Sequence, residues 1–150
     1  MSDSNNKSSK PSVKVVFRCN GKVLYYKTIK GIRDIPGGHI EFGETILEAL
    51  KRELNEEIGF ELDFEPELIN DWSYIKKEKS IHNVYFIYLI DLKEELKFKS
   101  KECPDEIEFI WLDKNNIKEQ NFLPEFEKCL LIAANHKKLD TNFKLRNTIK

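Results

Sequence analysis

Cysteine is scarce in this chain and poorly spaced for bonding: there are three, Cys19, Cys103 and Cys129, with no CxxC pair. An odd number at such spacing argues against a disulfide framework or a zinc site, and the thiols are read as reduced, as in a cytoplasmic protein. Long apolar runs are missing as well. None reaches the length that crosses a membrane, and the N-terminus has no apolar signal-peptide core. Excess charge of either sign is also lacking. A formal net charge of −1 and a pI near 6.3 leave no electrostatic footprint for nucleic acid or an anionic membrane. Arginine occurs only at positions 18, 33, 52 and 146, and there are no internal repeats. A chain of 150 residues should make one domain with a substantial core.

What is present sorts into elements. Residues 1–12 are rich in Ser, Asn and Lys, with no apolar residue after Met1, and read as a disordered tail. The domain is expected over 13–137. Val13–Cys19 and Lys22–Thr28 read as two strands joined at Asn20-Gly21, a two-residue hairpin turn. Pro36-Gly37-Gly38 predicts a tight turn where backbone can approach a ligand closely. Thr45 with Glu48 three residues on is a capping box, and Gly59 a C-cap, so a helix should lie between them. Ile46, Leu50, Leu54 and Ile58, with Leu47 beside them, give it an apolar stripe. Phe60 to Ile69 alternates apolar and acidic residues, which predicts a half-buried strand running on past Pro66 into Asp71-Trp72-Ser73-Tyr74. Ile81–Leu92 holds the longest apolar run and should be a central strand. Residues 93–104 read as a charged connection, Glu106–Leu112 as a short strand, and Pro124–His136 as a helix with Phe126, Leu130, Ala133 and Ala134 inward. The polar, basic stretch 138–150 gives no structural signal. Strands on both sides of one helix, with a second helix near the end, indicate an α/β class with a mixed sheet.

One cluster in the first helix carries chemistry. Glu53, Glu56 and Glu57, at i, i+3 and i+4, share an arc of about 100°. Like charges so placed repel, and a merely solvated helix face would intersperse lysines among them. Crowded anionic oxygens with no soft ligand suit a hard ion such as Mg²⁺ or Mn²⁺.

The run Gly38-x5-Glu44-x7-Arg52-Glu53-Leu54-x-Glu56-Glu57-x-Gly59-Phe60 matches, without a gap, the signature that the Nudix hydrolases share. Seven fixed residue types and two apolar positions would arise by chance in fewer than about one such chain in a million. The chain therefore resembles that family over the 23 residues from Gly38 to Phe60. The resemblance implies an α/β/α sandwich with a mixed, curved sheet and the motif as a loop-helix-loop. It also implies hydrolysis of a nucleoside diphosphate linked to another group, with Mg²⁺ as cofactor and Mn²⁺ as a substitute. Carried over by position, Glu53, Glu56 and Glu57 are the metal ligands, with the Gly38 carbonyl a further one. Glu53 is a candidate general base, Glu44 orients or supports it, and Arg52 positions a glutamate. A further acid from outside the motif is expected; Glu106 is the first choice and Asp105 the second. A marker proline or tyrosine beyond the motif distinguishes ADP-ribose and dinucleoside polyphosphate hydrolases. Tyr74 falls short of that position, so an ordinary or oxidised nucleoside triphosphate is the expected substrate, ahead of those two. A silent nucleotide sensor is the reading from another class, and the complete set of acids argues against it. The expected partner is a small nucleotide, with a homodimer left open.

Other residues are weaker candidates. His39 occupies a variable motif position and His82 a strand start. Trp72, Tyr74 and Phe122 are candidates to stack a base, with core packing the expected role. Arg18, Lys27 and Arg33 are candidates for phosphate contacts.

Overall fold

The computed structural model describes residues 8–138. Seven strands and two helices follow one another. They are β1 (Ser8–Cys19), β2 (Lys22–Thr28), β3 (Arg33–Asp34), β4 (Gly37–His39), α1 (Ile46–Ile58), β5 (Glu67–Lys76), β6 (Ile81–Asp91), β7 (Ile107–Asp113) and α2 (Pro124–Asn135). Short 3₁₀ turns occupy Lys77–Lys79 and Lys114–Gln120. The sheet runs β3-β2-β1-β6-β5, with β4 also on β1 and β7 also on β2.

The β1 strand organises the molecule. It lies parallel to β6 from Ser8↔Ile81 to Arg18↔Asp91 and antiparallel to β2 and β4. Its side chains alternate between two faces, as a pleated strand requires. Val13, Val15 and Phe17 join Leu24, Ile90 and the buried Ala49, Leu50 and Leu54 of α1. Val16 joins Val23, Tyr25 and the buried Cys129, Leu130 and Ala133 of α2. The helices thus cover opposite faces of a mixed sheet, which is the expected α/β/α sandwich.

The first helix forms as its sequence dictates. The Glu48 N–H donates to Thr45 Oγ1 (3.1 Å), and Gly59 caps the end at φ 66°, its N–H donating to the Asn55 carbonyl. The Asn20-Gly21 hairpin turn is also as expected, both residues having positive φ.

Three expectations need correction. The tail expected to run through residue 12 ends earlier, because Ser8–Ser12 is strand. Backbone pairing with Ile81–Tyr85 holds it there, a force that no side-chain pattern announces. Residues 1–7 and 139–150, parts of the two expected tails, lie outside the described residues. The strand expected from Phe60 begins only at Glu67. The Phe60 N–H donates to the Leu54 carbonyl and so belongs to the helix cap, and its ring packs edge-on against Phe17 at 5.1 Å. Alternation at 60–64 therefore buries Leu62 without any strand partner and leaves Phe64 exposed. Finally, Pro36-Gly37-Gly38 is not a tight turn. Gly37–His39 lies extended along β1, pairing Lys14↔Gly37 and Val13↔Gly38. Gly37, at φ 143°, is so close to β1 that a Cβ there would run into the Val13 carbonyl and Lys14 Cα. Glycine serves close approach here, as expected, but in a strand.

The thiols are free in the fold as well. Cys19 and Cys129 are buried, and burial pushes Cys129 up to about 12. Among the described residues no helix is long and apolar enough to cross a membrane.

Candidate functional site

Gly37–His39 lies beside the solvent edge of α1, and between them the acids collect. Arg52 is the hub. Its Nε and Nη2 donate to both oxygens of Glu44 (2.7 and 2.9 Å), Nη1 donates to Glu53 (2.9 Å) and Glu56 (3.3 Å), and Nη2 also donates to the His39 carbonyl (3.0 Å). The fork geometry of arginine permits this many simultaneous contacts. The Arg52 bond, then a bond from the Glu41 N–H, keeps the Glu44 carboxyl below the usual carboxylate range. Glu44 in turn holds the guanidinium more firmly protonated. Arg52 therefore contacts the glutamates, and Glu44 holds Arg52 through both of its oxygens.

Glu53 and Glu57 turn toward the glycines. A Cβ on Gly38 would collide with the Glu53 carboxylate, so that carboxylate lies directly over the backbone. Glu57 Oε2 accepts from the Gly37 N–H (3.2 Å). Burial pushes the Glu57 carboxyl up to about 7, the Gly37 bond opposes this, and the charge of Glu53 adds to it; Lys14 lowers it and Glu102 raises it. Tyr26 is pushed up too, by burial and then by the charges of Asp34 and Glu57.

A small cavity of about 60 Å³ lies against Glu57, lined also by Tyr26, Ser100, Glu102, Cys103, Ile107 and Phe109. Glu102 is thus the acid from outside the motif that the fold brings to Glu57. The Lys101 N–H donates to the Glu57 carbonyl (2.7 Å) and ties that loop to the helix end. Glu106 and Asp105 instead line a separate open hollow with Lys27, Lys30 and Glu108. Ile107 and Phe109 border both hollows, whereas Glu106 does not line the Glu57 cavity. The sequence held two signals for the missed groups. Lys14 interrupts the apolar run of β1, and Tyr26 ends that of β2, whereas nothing local marks Glu102.

The donor set suits a divalent hard ion: three carboxylates and a carbonyl, all oxygen, with one carboxylate whose burial leaves it short of positive charge. Among the described residues no three acids, histidines or cysteines yet ring a common point. Arg52 draws Glu44, Glu53 and Glu56 toward itself, so closing such a ring requires Glu56, the most exposed of the three, to turn away.

The remaining candidates separate cleanly. His39 is exposed and shares a 2.9 Å hydrogen bond with the Ser12 hydroxyl, and His82 is exposed at the start of β6. Arg18 is not available to phosphate. It pairs with both oxygens of Asp91 (2.6 and 2.9 Å) and donates to the Ala133 and His136 carbonyls, clamping α2 to the sheet. Arg33 spends both Nη groups on the Gln120 and Asn121 carbonyls. Trp72, Tyr74 and Phe122 do converge. They line a cavity of about 510 Å³ with Arg33, Asp34, Tyr85 and Phe126. Phe122 is nearly buried in the core and Tyr74 is about half exposed, so packing and lining are not exclusive roles. The Arg33–His39 segment runs from the wall of this cavity to the acids.

The NUDIX domain profile matches residues 9–131, most of the chain. This chain belongs to the Nudix family. Its relatives include the m7GpppN-mRNA hydrolase NUDT17 of Xenopus laevis, 32% identical in an alignment of 116 residues that covers 66% of this chain and 39% of that protein. The chain thus spans well under half the length of that relative. Among solved structures, a MutT Nudix hydrolase from Burkholderia pseudomallei superposes with a TM-score of 0.68 at 22% identity, covering 82% of this chain and 96% of its own. The MutT protein of Methanosarcina mazei Go1 gives a TM-score of 0.69 at 20% identity, over 90% of this chain and all of its own. At these identities the superpositions establish the Nudix fold. The family profile and the intact motif make this a Nudix domain.

Proposed function

We propose that this Nudix domain hydrolyses a phosphoric anhydride bond in a nucleoside diphosphate derivative. The favoured substrate is a nucleoside triphosphate, ordinary or oxidised, giving a monophosphate and pyrophosphate. The observation that carries this reading is the placement of Glu53 and Glu57 against the side-chain-free Gly37-Gly38 strand, with the aromatic cavity at the other end of the same short segment. Gly38 puts no side chain over the Glu53 carboxylate, and the cavity offers room for a base.

Glu53, Glu56, Glu57 and the Gly38 carbonyl are the groups that would hold Mg²⁺ or Mn²⁺. When bound, such an ion neutralises phosphate oxygens and stabilises charge on the leaving group. Arg52 keeps the Glu53 carboxylate in one orientation, and Glu44 anchors Arg52. Glu53 is the candidate to take the proton of an attacking water, a contribution of about 10²–10⁴-fold. Glu102 replaces Glu106 as the candidate acid from outside the motif.

A second reading has its own support. The Xenopus laevis relative is named an mRNA-cap hydrolase, and a cap is also a nucleotide with a bridging polyphosphate. The experiment is a panel of nucleoside triphosphates, dinucleoside polyphosphates, ADP-ribose and capped RNA, assayed with Mg²⁺ and with excess EDTA. Pyrophosphate released from a triphosphate, and only with metal, is the expected result. Full turnover in EDTA would sink the metal-dependent reading, and cleavage of capped RNA alone would move the second reading to the front.

A further inference from the structure

We propose that the guanidinium face of Arg33 is the platform on which a purine base lies, making Arg33 a specificity-determining residue. The inference rests on the aromatic cavity being the nucleoside end of the substrate cleft. Arg33 projects from the short strand β3 into that cavity. Nη1 donates to the Gln120 carbonyl at 2.6 Å and Nη2 to the Asn121 carbonyl at 2.9 Å. Its Cζ stands 4.3 Å from the centre of the Phe122 ring. That ring is itself fixed edge-on by Tyr25 at 5.2 Å and by Phe126 at 5.0 Å.

These contacts fix the plane of the Arg33 guanidinium. Its hydrogen atoms lie in that plane, and one on each Nη is committed to a carbonyl. One face is covered by Phe122. The opposite face is a flat, cationic, weakly hydrated surface on a residue that lines the cavity. Such a surface attracts the π-face of an aromatic ring, and stacking of bases on arginine planes is an established mode of nucleotide binding. A purine offers a larger and more electron-rich π-face than a pyrimidine, so the platform should favour purines. Trp72 and Tyr85, whose ring centres are 4.9 Å apart, line the same cavity and add aromatic surface for a flat base. Arg33 is therefore a base-contacting group instead of the phosphate contact its charge suggests.

The test uses Arg33→Lys and Arg33→Met with guanosine 5′-triphosphate, uridine 5′-triphosphate and the base-free ribose 5-triphosphate. A lost cation–π contact corresponds to about a tenfold rise in KM for the purine nucleotide. The expected pattern is that rise with kcat within about twofold, an unchanged KM for ribose 5-triphosphate, and a narrowed purine preference. An equal rise for ribose 5-triphosphate would place Arg33 on the phosphates and overturn the proposal. So would an unchanged KM in a variant that melts like the wild type. If neither variant folds, or if the wild type hydrolyses none of the three, the wild-type protein still decides. Guanosine added to saturation should move the Arg33 Hε resonance upfield through the ring current of the stacked base, and no movement would refute the platform whatever the fate of the proposed activity.

Discussion

At the scale of single residues, two adjacent glycines face different neighbours and should fail differently. A methyl at Gly37 meets the backbone of β1 and a φ of 143° that an L-residue rarely adopts. Gly37→Ala should therefore unfold or strongly destabilise the protein in a thermal melt. A methyl at Gly38 meets first the carboxylate of Glu53, the far end of a side chain. Gly38→Ala should melt close to the wild type yet lose most turnover, since it displaces the proposed base; equal loss of stability in both variants would contradict this division. Glu53→Gln should keep its fold, because amide and carboxylate are nearly isosteric, while turnover falls by at least about 10²-fold. Glu57 supplies a pH test. Its folded value of about 7 lies above its ordinary 4.5, so between these limits the folded state binds more protons than the unfolded one. Stability of the metal-free protein should fall as pH rises through that window, and Glu57→Gln should flatten the slope in melts recorded in EDTA. The motif acids could be recognised in the sequence because they are one helix turn apart. Glu102 could not, since 45 residues separate it from Glu57 (102 − 57) and only the loop tied by Lys101 brings them together.

At the scale of elements, α1 stands on local rules that survive in the fold. Its cap, its stop and its buried stripe all follow from residues within four positions of each other. Leu54 is fully buried between β1 and β6 residues, so Leu54→Ala should cost about 2–5 kcal/mol by chemical denaturation. A midpoint shift near zero would mean that the stripe does not carry the packing. Strands were less legible for a physical reason: a strand is completed by a partner far away in sequence. Ser8–Ser12 has no apolar residue and still pairs with β6, whereas Phe60–Phe64 has the right alternation and finds no partner. Gly37–His39 shows the same thing in miniature, because its extended shape is imposed by the strand it lies on.

At the scale of the whole molecule, both helices depend on one strand. Arg18 on β1 holds the C-terminal end of α2 through two carbonyls while its charge is matched by Asp91. Among the described residues, Arg18→Ala would leave Asp91 with only the more exposed Lys138, and should lower stability by about 1–3 kcal/mol in a denaturant titration. Turnover at a temperature where the variant is fully folded should be unchanged, because Arg18 is on the far side of the sheet from α1. The parallel pairing of β1 with β6 also sets a timetable. A ribosome makes Ser8 first and its partner Ile81 only 73 residues later (81 − 8), a delay on the order of 4–15 s at ordinary elongation rates. Throughout that interval the valines and Phe17 of β1 have an open edge, and the hairpin with β2 shelters one side alone. The complete motif, Gly38 to Phe60, emerges well before β6 does. Newly made chain therefore displays all of its motif acids while the strand that fixes Gly37 still lacks its β6 neighbour. Competence to hold a metal should appear late in synthesis, and a stalled chain ending before Ile81 should bind Mn²⁺ no better than an isolated acidic peptide.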